Sequence, residues 1–176
     1  MAEEDERQVY IDHPNRRKAT SKITKFIVII LLLVSAALVV IIGFGGWDTI
    51  EGAKPVQIAY VLLYVLLAFF VLRWSRGVLP LIAALAIVLL IFAAVSGPAW
   101  FDRDKTGLTD PTLDEGILGM LSLILIPVQV LLIAFSMRGF QQAWNVEVEY
   151  HEDDEEEDER EERRPEQRGD AAPAPA

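Results

Sequence analysis

Four long stretches of this chain contain no charged side chain and no histidine. They cover residues 26–47, 55–72, 77–101 and 116–137, and are 22, 18, 25 and 22 residues long. An α-helix rises about 1.5 Å per residue and a bilayer core is about 30 Å thick, so each stretch is long enough to cross a membrane. The sequence therefore predicts an all-α, polytopic membrane protein, folded as an antiparallel bundle of four transmembrane helices.

The predicted organisation alternates spans with short connections, and the charged residues are concentrated at the two ends of the chain. No polar segment exceeds about 40 residues, which is too short for a separate globular domain. The predicted segments are a cytosolic N-terminal arm that is basic near the membrane (1–22), a first span (23–47), an outer loop (48–54), a second span (55–73), a cytosolic loop (74–77), a third span (78–97), an outer loop (98–115), a fourth span (116–137) and an acidic, disordered cytosolic tail (138–176).

Lysine and arginine residues beside the spans predict how the chain is threaded. Five of them lie between residues 16 and 25, Arg73 and Arg76 occupy the second connection, and Arg138 follows the fourth span. Positive residues near span ends mark the cytoplasmic side, so both termini are expected in the cytoplasm. The basic arm and the 22-residue first run are too long for a cleaved signal peptide, which favours a signal anchor. We expect a multi-pass protein of the cell (plasma) membrane, and the layout resembles that of four-span bacterial inner-membrane proteins.

The C-terminal segment carries most of the net charge of −10. Residues 138–176 include 14 acidic and 5 basic side chains, and the chain ends in an Ala/Pro-rich stretch. Such a charge block buries no apolar surface and is expected to be disordered. Its plain interpretation is a solvating tail. The functional alternative is that it binds a basic cytosolic or membrane protein partner, or the chain's own basic arm at residues 16–25.

Groups that carry catalytic or metal chemistry are scarce. The chain has no cysteine, and its two histidines, His13 and His151, lie in the charged arms. The four uncharged stretches offer no acid or base to bind an ion at depth, which argues against a proton-coupled transporter but leaves open a channel formed between subunits. We predict no catalytic, cofactor-binding or metal-binding residues, no cofactor and no enzymatic activity. The expected partners are the lipid bilayer and another protein or a second copy, but no nucleic acid.

Two spans contain polar side chains at helical spacing. In the fourth span Ser122, Gln129 and Ser136 repeat every seven residues, after Glu115 one heptad earlier. In the second span one face carries Gln57, Tyr60, Tyr64 and Ala68. These stripes favour helix–helix contacts, in which each interhelical hydrogen bond contributes about 0.6 kcal/mol. The alternative is a polar pathway or a pocket for a lipid headgroup.

The loop at 102–114 contains the string that most resembles a ligand site. Asp102, Asp104, Thr106 and Asp110, with Gly107 between them, match the start of an EF-hand calcium loop. The position of the bidentate glutamate is occupied by Leu113, and Arg103 and Lys105 weaken the negative field. The sequence favours an ordinary solvated loop over a weak calcium site.

Aromatic residues lie near the ends of the spans, and a segment of alternating apolar and acidic residues follows the fourth span. The residues expected in the headgroup zone, which amphipathic rings prefer, are Trp47, Tyr60, Trp74, Trp100, Phe101 and Trp144, with Tyr60 a turn inside. Residues 141–150 alternate apolar and acidic side chains, and the pattern fits either a short strand or an interfacial segment.

The leading functional hypothesis is a non-enzymatic scaffold or accessory subunit that acts through its charged cytosolic arms. The alternative is an oligomeric channel, or a protein that handles small solutes or lipids, using the polar stripes of the second and fourth spans.

Overall fold

The computed structural model describes residues 9–103 and 110–151 of the 176-residue chain. Its elements in chain order are β1 (Val9–Asp12), α1 (Pro14–Arg17), α2 (Ala19–Gly45), α3 (Lys54–Leu72), α4 (Leu79–Phe101), α5 (Glu115–Gln141) and β2 (Val148–His151). Short 3-10 turns, Glu51–Ala53 and Arg76–Val78, precede α3 and α4. The chain divides into a helical unit, residues 15–145, and a terminal unit that contains residues 9–14 and 146–151 of the described chain.

The four long helices of the helical unit are each long and apolar enough to cross a membrane. Large apolar side chains cover their outward faces, among them Phe26, Leu62, Phe69 and Val95. Such a continuous apolar surface suits hydrocarbon and not water. The predicted helical, multi-pass membrane character is thereby confirmed, while the limits of the spans and the orientation of the termini remain predictions.

Local sequence signals account for the helix ends. Pro55 and Pro80 lie in the first turns of α3 and α4, where the absent N–H has no helical partner to lose. Asp114 caps α5, and its Oδ1 accepts hydrogen bonds from the Gly116 N–H at 2.9 Å and the Ile117 N–H at 3.3 Å. After α3 the chain reverses through Trp74, whose φ of 63° is rare for a residue with a side chain.

Small residues lie in the contact between α4 and α5, which is the most extensive between two long helices. A Cβ added to Gly97 would lie 2.8 Å from Leu123 Cδ2, and one added to Gly119 would lie 2.8 Å from the ring of Phe101. These glycines therefore allow the two helices to approach more closely than larger residues would. By contrast α3 and α4, which are joined by a short turn, have few contacts with each other.

The connections between the long helices lie at two opposite ends of the helical unit. At one, named here the loop end, the Leu113 N–H donates to the Gly45 carbonyl at 3.0 Å, and Gly46 lies against the Trp100 ring. At the other, named here the turn end, the Gln142 amide donates to the Thr24 hydroxyl at 3.0 Å.

Trp144 is the centre of packing at the turn end. It is fully buried, its indole N–H donates to Gln142 Oε1 at 3.0 Å, and its ring meets that of Trp74 edge to face. Trp100 is only 6% exposed, whereas Trp47 is 38% exposed. The rings of Trp100 and Trp144 therefore pack inside the protein, and their depth in the membrane stays a prediction.

The terminal unit contains an antiparallel pair of strands. Val9 of β1 lies opposite His151 of β2, and the register continues through Tyr10 and Tyr150 to Asp12 and Val148. Within this unit His13 Nε2 and the Glu147 carboxylate are 3.8 Å apart. The alternating segment at 141–150 thus ends in a strand, and this strand falls inside the predicted disordered tail. The rest of that tail, from residue 152, lies outside the described residues.

The strand register can be tested by disulfide formation, because the native chain has no cysteine. Directly opposed Cα atoms in an antiparallel pair are about 4.5–5.5 Å apart, which a disulfide can bridge. Oxidation of Tyr10→Cys/Tyr150→Cys in membranes should yield an intramolecular disulfide, visible as a mobility shift on non-reducing gels. Tyr10→Cys/Glu149→Cys places the two thiols on opposite faces and should react far more slowly. Equal rates for the two pairs would contradict the register.

Candidate functional site: a buried amide network and the loop-end cavity

Three fully buried polar side chains meet in the interior of the helical unit. The Tyr64 hydroxyl of α3 donates to Gln129 Oε1 of α5 at 2.9 Å. The Gln129 amide donates in turn to Ser35 Oγ of α2 at 2.8 Å. The Ser35 hydroxyl donates in turn to the Leu31 carbonyl at 2.7 Å, one turn back along α2. This chain, named here the amide network, links three helices and gives both ends of the Gln129 amide a partner.

Within the predicted polar stripes, the residues have different environments. Tyr64 and Gln129 belong to the amide network. Ser122 donates to the Leu118 carbonyl of its own helix, and Ser136 Oγ is buried without a hydrogen-bond partner among the described residues. Glu115 lies at the start of α5, 3.8 Å from Arg103. The stripes are therefore not one continuous polar path.

The sequence reasoning missed Ser35, the third member of the amide network. The residue stands alone in an apolar run, with no polar neighbour at helical spacing. Its isolation within residues 26–42 was the available signal, since a lone polar residue in a span usually finds a partner on another helix. Nothing local identifies Gln129 as that partner, because the two residues are 94 positions apart.

A cavity of about 440 Å³ lies among all four long helices near the loop end. Its walls are mostly aliphatic and aromatic, with Val39 on α2, Leu89 and Phe92 on α4, and Leu125 on α5. Pockets that hold small ligands have volumes of about 300–1,000 Å³ and walls of this kind. We name it the loop-end cavity.

Four of the side chains lining the loop-end cavity are polar, and three of them are hydroxyls that donate to backbone carbonyls. Tyr60 donates to the Leu85 carbonyl at 3.4 Å, Ser96 to the Ala93 carbonyl at 3.5 Å, and Ser122 to its own helix. The fourth is Gln57, whose Oε1 is buried with no hydrogen-bond partner among the described residues. Gln57 Oε1 lies against α2, 2.8 Å from where a Cβ on Gly43 would be, so it is enclosed by protein atoms and is not open to the cavity.

The chemistry open to this site is binding, mainly by apolar contact. The described lining residues include no Asp, Glu, Lys, Arg or His. In residues 9–103 and 110–151, no three metal-binding side chains come together. The calcium-like string at 102–114 lies partly outside the described residues. Of its three described aspartates, Asp102 and Asp114 are the cap residues of α4 and α5, and Asp110 is exposed.

Basic residues form a second polar arrangement at the turn end. Arg16 Nε donates to the Trp144 carbonyl at 3.1 Å, the Asn15 amide donates to the Ala143 carbonyl at 3.1 Å, and Arg76 Nε donates to the Phe140 carbonyl at 2.7 Å. Lys25 Nζ lies 4.0 Å from the centre of the Trp74 ring. Cations at the C-terminus of a helix satisfy its last carbonyls and complement its dipole. These contacts, named here the basic clamp, hold the segment after α5.

No family model matches this chain, and no characterised protein or solved structure is significantly similar to it. The interpretation of the site therefore rests on its own residues and their geometry.

The amide network can be tested with two serines that differ in one respect. Ser35 and Ser122 are both fully buried and both donate to a carbonyl four residues back, but only Ser35 accepts a bond from Gln129. Ser35→Ala leaves the Gln129 N–H without an acceptor and should lower the free energy of unfolding by about 1 kcal/mol. Ser122→Ala should change the free energy of unfolding by a few tenths of a kcal/mol at most. Reversible unfolding in mixed micelles measures both values, and equal losses would contradict the network.

Proposed function

We propose that this protein is a non-enzymatic membrane scaffold or accessory subunit that engages a protein partner through its charged cytosolic ends. The observation that carries the proposal is the β1–β2 pairing, which joins the two ends of the chain. Both edges of a two-strand pair are open to a further strand, and so short a pair is only marginally stable alone. A partner that adds a strand or binds the adjoining charges would stabilise it.

The proposed architecture is an antiparallel four-helix bundle with both termini in the cytoplasm of the cell's inner membrane. Contacts between Gln142 and Thr24 at the turn end, and between Leu113 and Gly45 at the loop end, support antiparallel α2 and α5. The basic clamp supports a cytoplasmic turn end, because positive residues mark that side. Acidic residues at the loop end, such as Asp48 and Asp110, agree with an outer location.

The acidic segment from residue 152 is proposed to be a disordered cytosolic tail that supplies charge to the interaction. Residues 152–162 contain ten acidic side chains and one arginine. A basic protein surface is the complementary partner, and such attraction accelerates association. The chain's own basic arm is a less favoured target, because Arg16 already donates to the Trp144 carbonyl and to Asn145 Oδ1.

The alternative function, a channel along the polar stripes, is less well supported. Tyr64 and Gln129 satisfy each other and Ser35 inside one chain. A conducting path would need these groups to exchange partners with the solute, at the cost of the contacts that link three helices. A protein that handles a lipid needs no continuous polar path through the bundle. The loop-end cavity is the feature that favours this form of the alternative function.

The proposed orientation predicts opposite labelling of two matched cysteine variants. A Cβ added at Gly52 or Gly77 would meet none of the described atoms within 4 Å, so both sites have room for a small side chain. In intact cells a membrane-impermeant maleimide should label Gly52→Cys, in the first loop, and should label Gly77→Cys, in the second connection, only after permeabilisation. The reverse pattern would invert the topology, and labelling of both in intact cells would contradict four spans.

The partner proposal predicts that tail charge, rather than tail length, holds the complex together. We would crosslink native membranes and purify the full chain, a truncation after His151, and a full-length variant with the acids of 152–162 changed to their amides. The truncation keeps Trp144 and β2, so both units retain their described contacts. A specific partner should be recovered with the full chain and lost from both variants. Its retention by the truncation would refute a role for the tail, and retention by the amide variant alone would refute a role for charge.

A further inference from the structure

The turn end of the helical unit carries positive charge without a matching negative charge. Lysine and arginine residues lie at the start of α2, in the turn after α3 and at the end of α5. The described acidic residues of the same unit all lie in or beside the connections of the loop end. Arg16 and Arg76 donate to carbonyl and amide oxygens, which are neutral acceptors. The hydrogen bonds of the basic clamp therefore leave its charge uncompensated.

Lys25 lies among other cations and is not paired with an anion. Its Nζ is 4.0 Å from the centre of the Trp74 ring, and no carboxylate among the described residues forms an ion pair with it. Arg16 is close enough to repel it. Lys22 is exposed one turn earlier on the same side of α2, and the exposed Arg73 adjoins Trp74 in the chain. An ammonium has three N–H donors, and a ring face offers them no oxygen, so the group can still bind an anion.

The position of these cations along the helices is the boundary of the hydrocarbon. Lys25 directly precedes the uncharged run 26–47, and Arg73 directly follows the uncharged run 55–72. The contact of Lys25 with Trp74 brings the two boundaries to the same level. In a bilayer, the phosphates of the lipid headgroups lie just outside the hydrocarbon, at the level where such residues occur.

Exposed aromatic side chains lie on the hydrocarbon side of the same cations. Phe26 follows Lys25 and is 63% exposed. Phe69 lies one turn before Arg73, is 51% exposed, and has its ring centre 5.8 Å from the Arg73 guanidinium carbon. The surface therefore joins positive charge to apolar area, and it fits a molecule that carries a phosphate above an acyl chain. A soluble acidic segment would match the charges only.

We propose that the turn end binds one anionic glycerophospholipid of the adjoining leaflet, with its phosphate at Lys22, Lys25 and Arg73 and its acyl chains against Phe26 and Phe69. Ammonium and guanidinium groups form charge-assisted hydrogen bonds with phosphate. A zwitterionic lipid has the same phosphate but brings a cation of its own, which this group of residues repels. The inference requires the membrane spans, but it needs neither the protein partner nor the proposed orientation of the termini.

The experiment is native mass spectrometry of the full chain, released from nanodiscs that contain phosphatidylglycerol and phosphatidylcholine with identical acyl chains. The unaltered protein should retain one lipid per chain, with phosphatidylglycerol enriched about tenfold over phosphatidylcholine, which corresponds to about 1.4 kcal/mol. No retained lipid, or retention without a preference, would overturn the proposal. Excess inorganic phosphate, added before release, should not displace the lipid, because it makes no apolar contact. Displacement would show a site for free phosphate and would refute the lipid.

Two substitutions that remove the same charge separate a defined site from a general attraction. Arg138 is exposed and directly follows the fourth uncharged run, so it is a boundary cation like Lys25, but it lies on α5. Lys25→Gln should lower the retention of phosphatidylglycerol about tenfold, whereas Arg138→Gln should change it little. Equal losses would show that the lipid responds only to the overall positive charge, and would refute the site.

The folding state of each variant is checked by its elution profile and circular dichroism. Lys25→Gln also removes the contact with Trp74. If that variant fails to fold, the double variant Lys22→Gln/Arg73→Gln replaces it, because both side chains are exposed and form no hydrogen bond with the described residues. Unchanged retention of phosphatidylglycerol by the folded variant would overturn the proposal.

The truncation after His151 tests whether the acidic tail occupies the same cations. The truncated chain should retain phosphatidylglycerol with the same preference as the full chain. A preference that appears only after truncation would show that the tail, and not a lipid, neutralises the turn end of the full chain, and would refute the proposal. Because the readout is the bound lipid, it is separate from the recovery of a protein partner.

Discussion

The structure depends on one constraint: inside a bilayer, a polar side chain must find its hydrogen-bond partner within the protein. Gln129 meets this constraint by accepting from Tyr64 and donating to Ser35, so that a single amide links α2, α3 and α5. The fourth long helix, α4, is held differently. It packs on α5 where Gly97 and Gly119 allow close approach, and it stays apart from α3 toward the loop end. That difference leaves the loop-end cavity beside the amide network.

The sequence was sufficient to predict the helices but not their pairing. Hydrophobic length is a local property, so the apolar runs at 26–47 and 116–137 lie within or close to α2 and α5. The hydrogen-bond partner of Ser35 depends on which helix packs against it, and the residues near Ser35 in the sequence do not indicate which helix that is. Trp144 shows the same limit, because an aromatic ring at a span end can face the headgroups or the protein interior, and here it is fully buried. The loop-end cavity is unpredictable for the same reason, although the sequence identifies Gln57 as a polar residue in a span.

Basic residues that serve as a topology signal also have structural contacts. Arg16 and Arg76 were recognised from the sequence only as positive charges beside the spans. In the fold they donate to the carbonyls of Trp144 and Phe140, and so hold the segment that leaves α5. The position of this segment therefore depends on the N-terminal arm. Loss of the arm would be expected to affect packing at the turn end as well as orientation in the membrane.

The central claim is that the Gln129 amide couples the helices, and a double-mutant cycle between Tyr64 and Gln129 tests it most directly. The free energy of unfolding would be measured for the unaltered chain, Tyr64→Phe, Gln129→Leu and the double variant in the same micelles. The account predicts a coupling energy of about 1 kcal/mol, because each single change leaves the other polar group unpaired while the double change removes both. Strictly additive losses would show that the two side chains do not interact and would contradict the account.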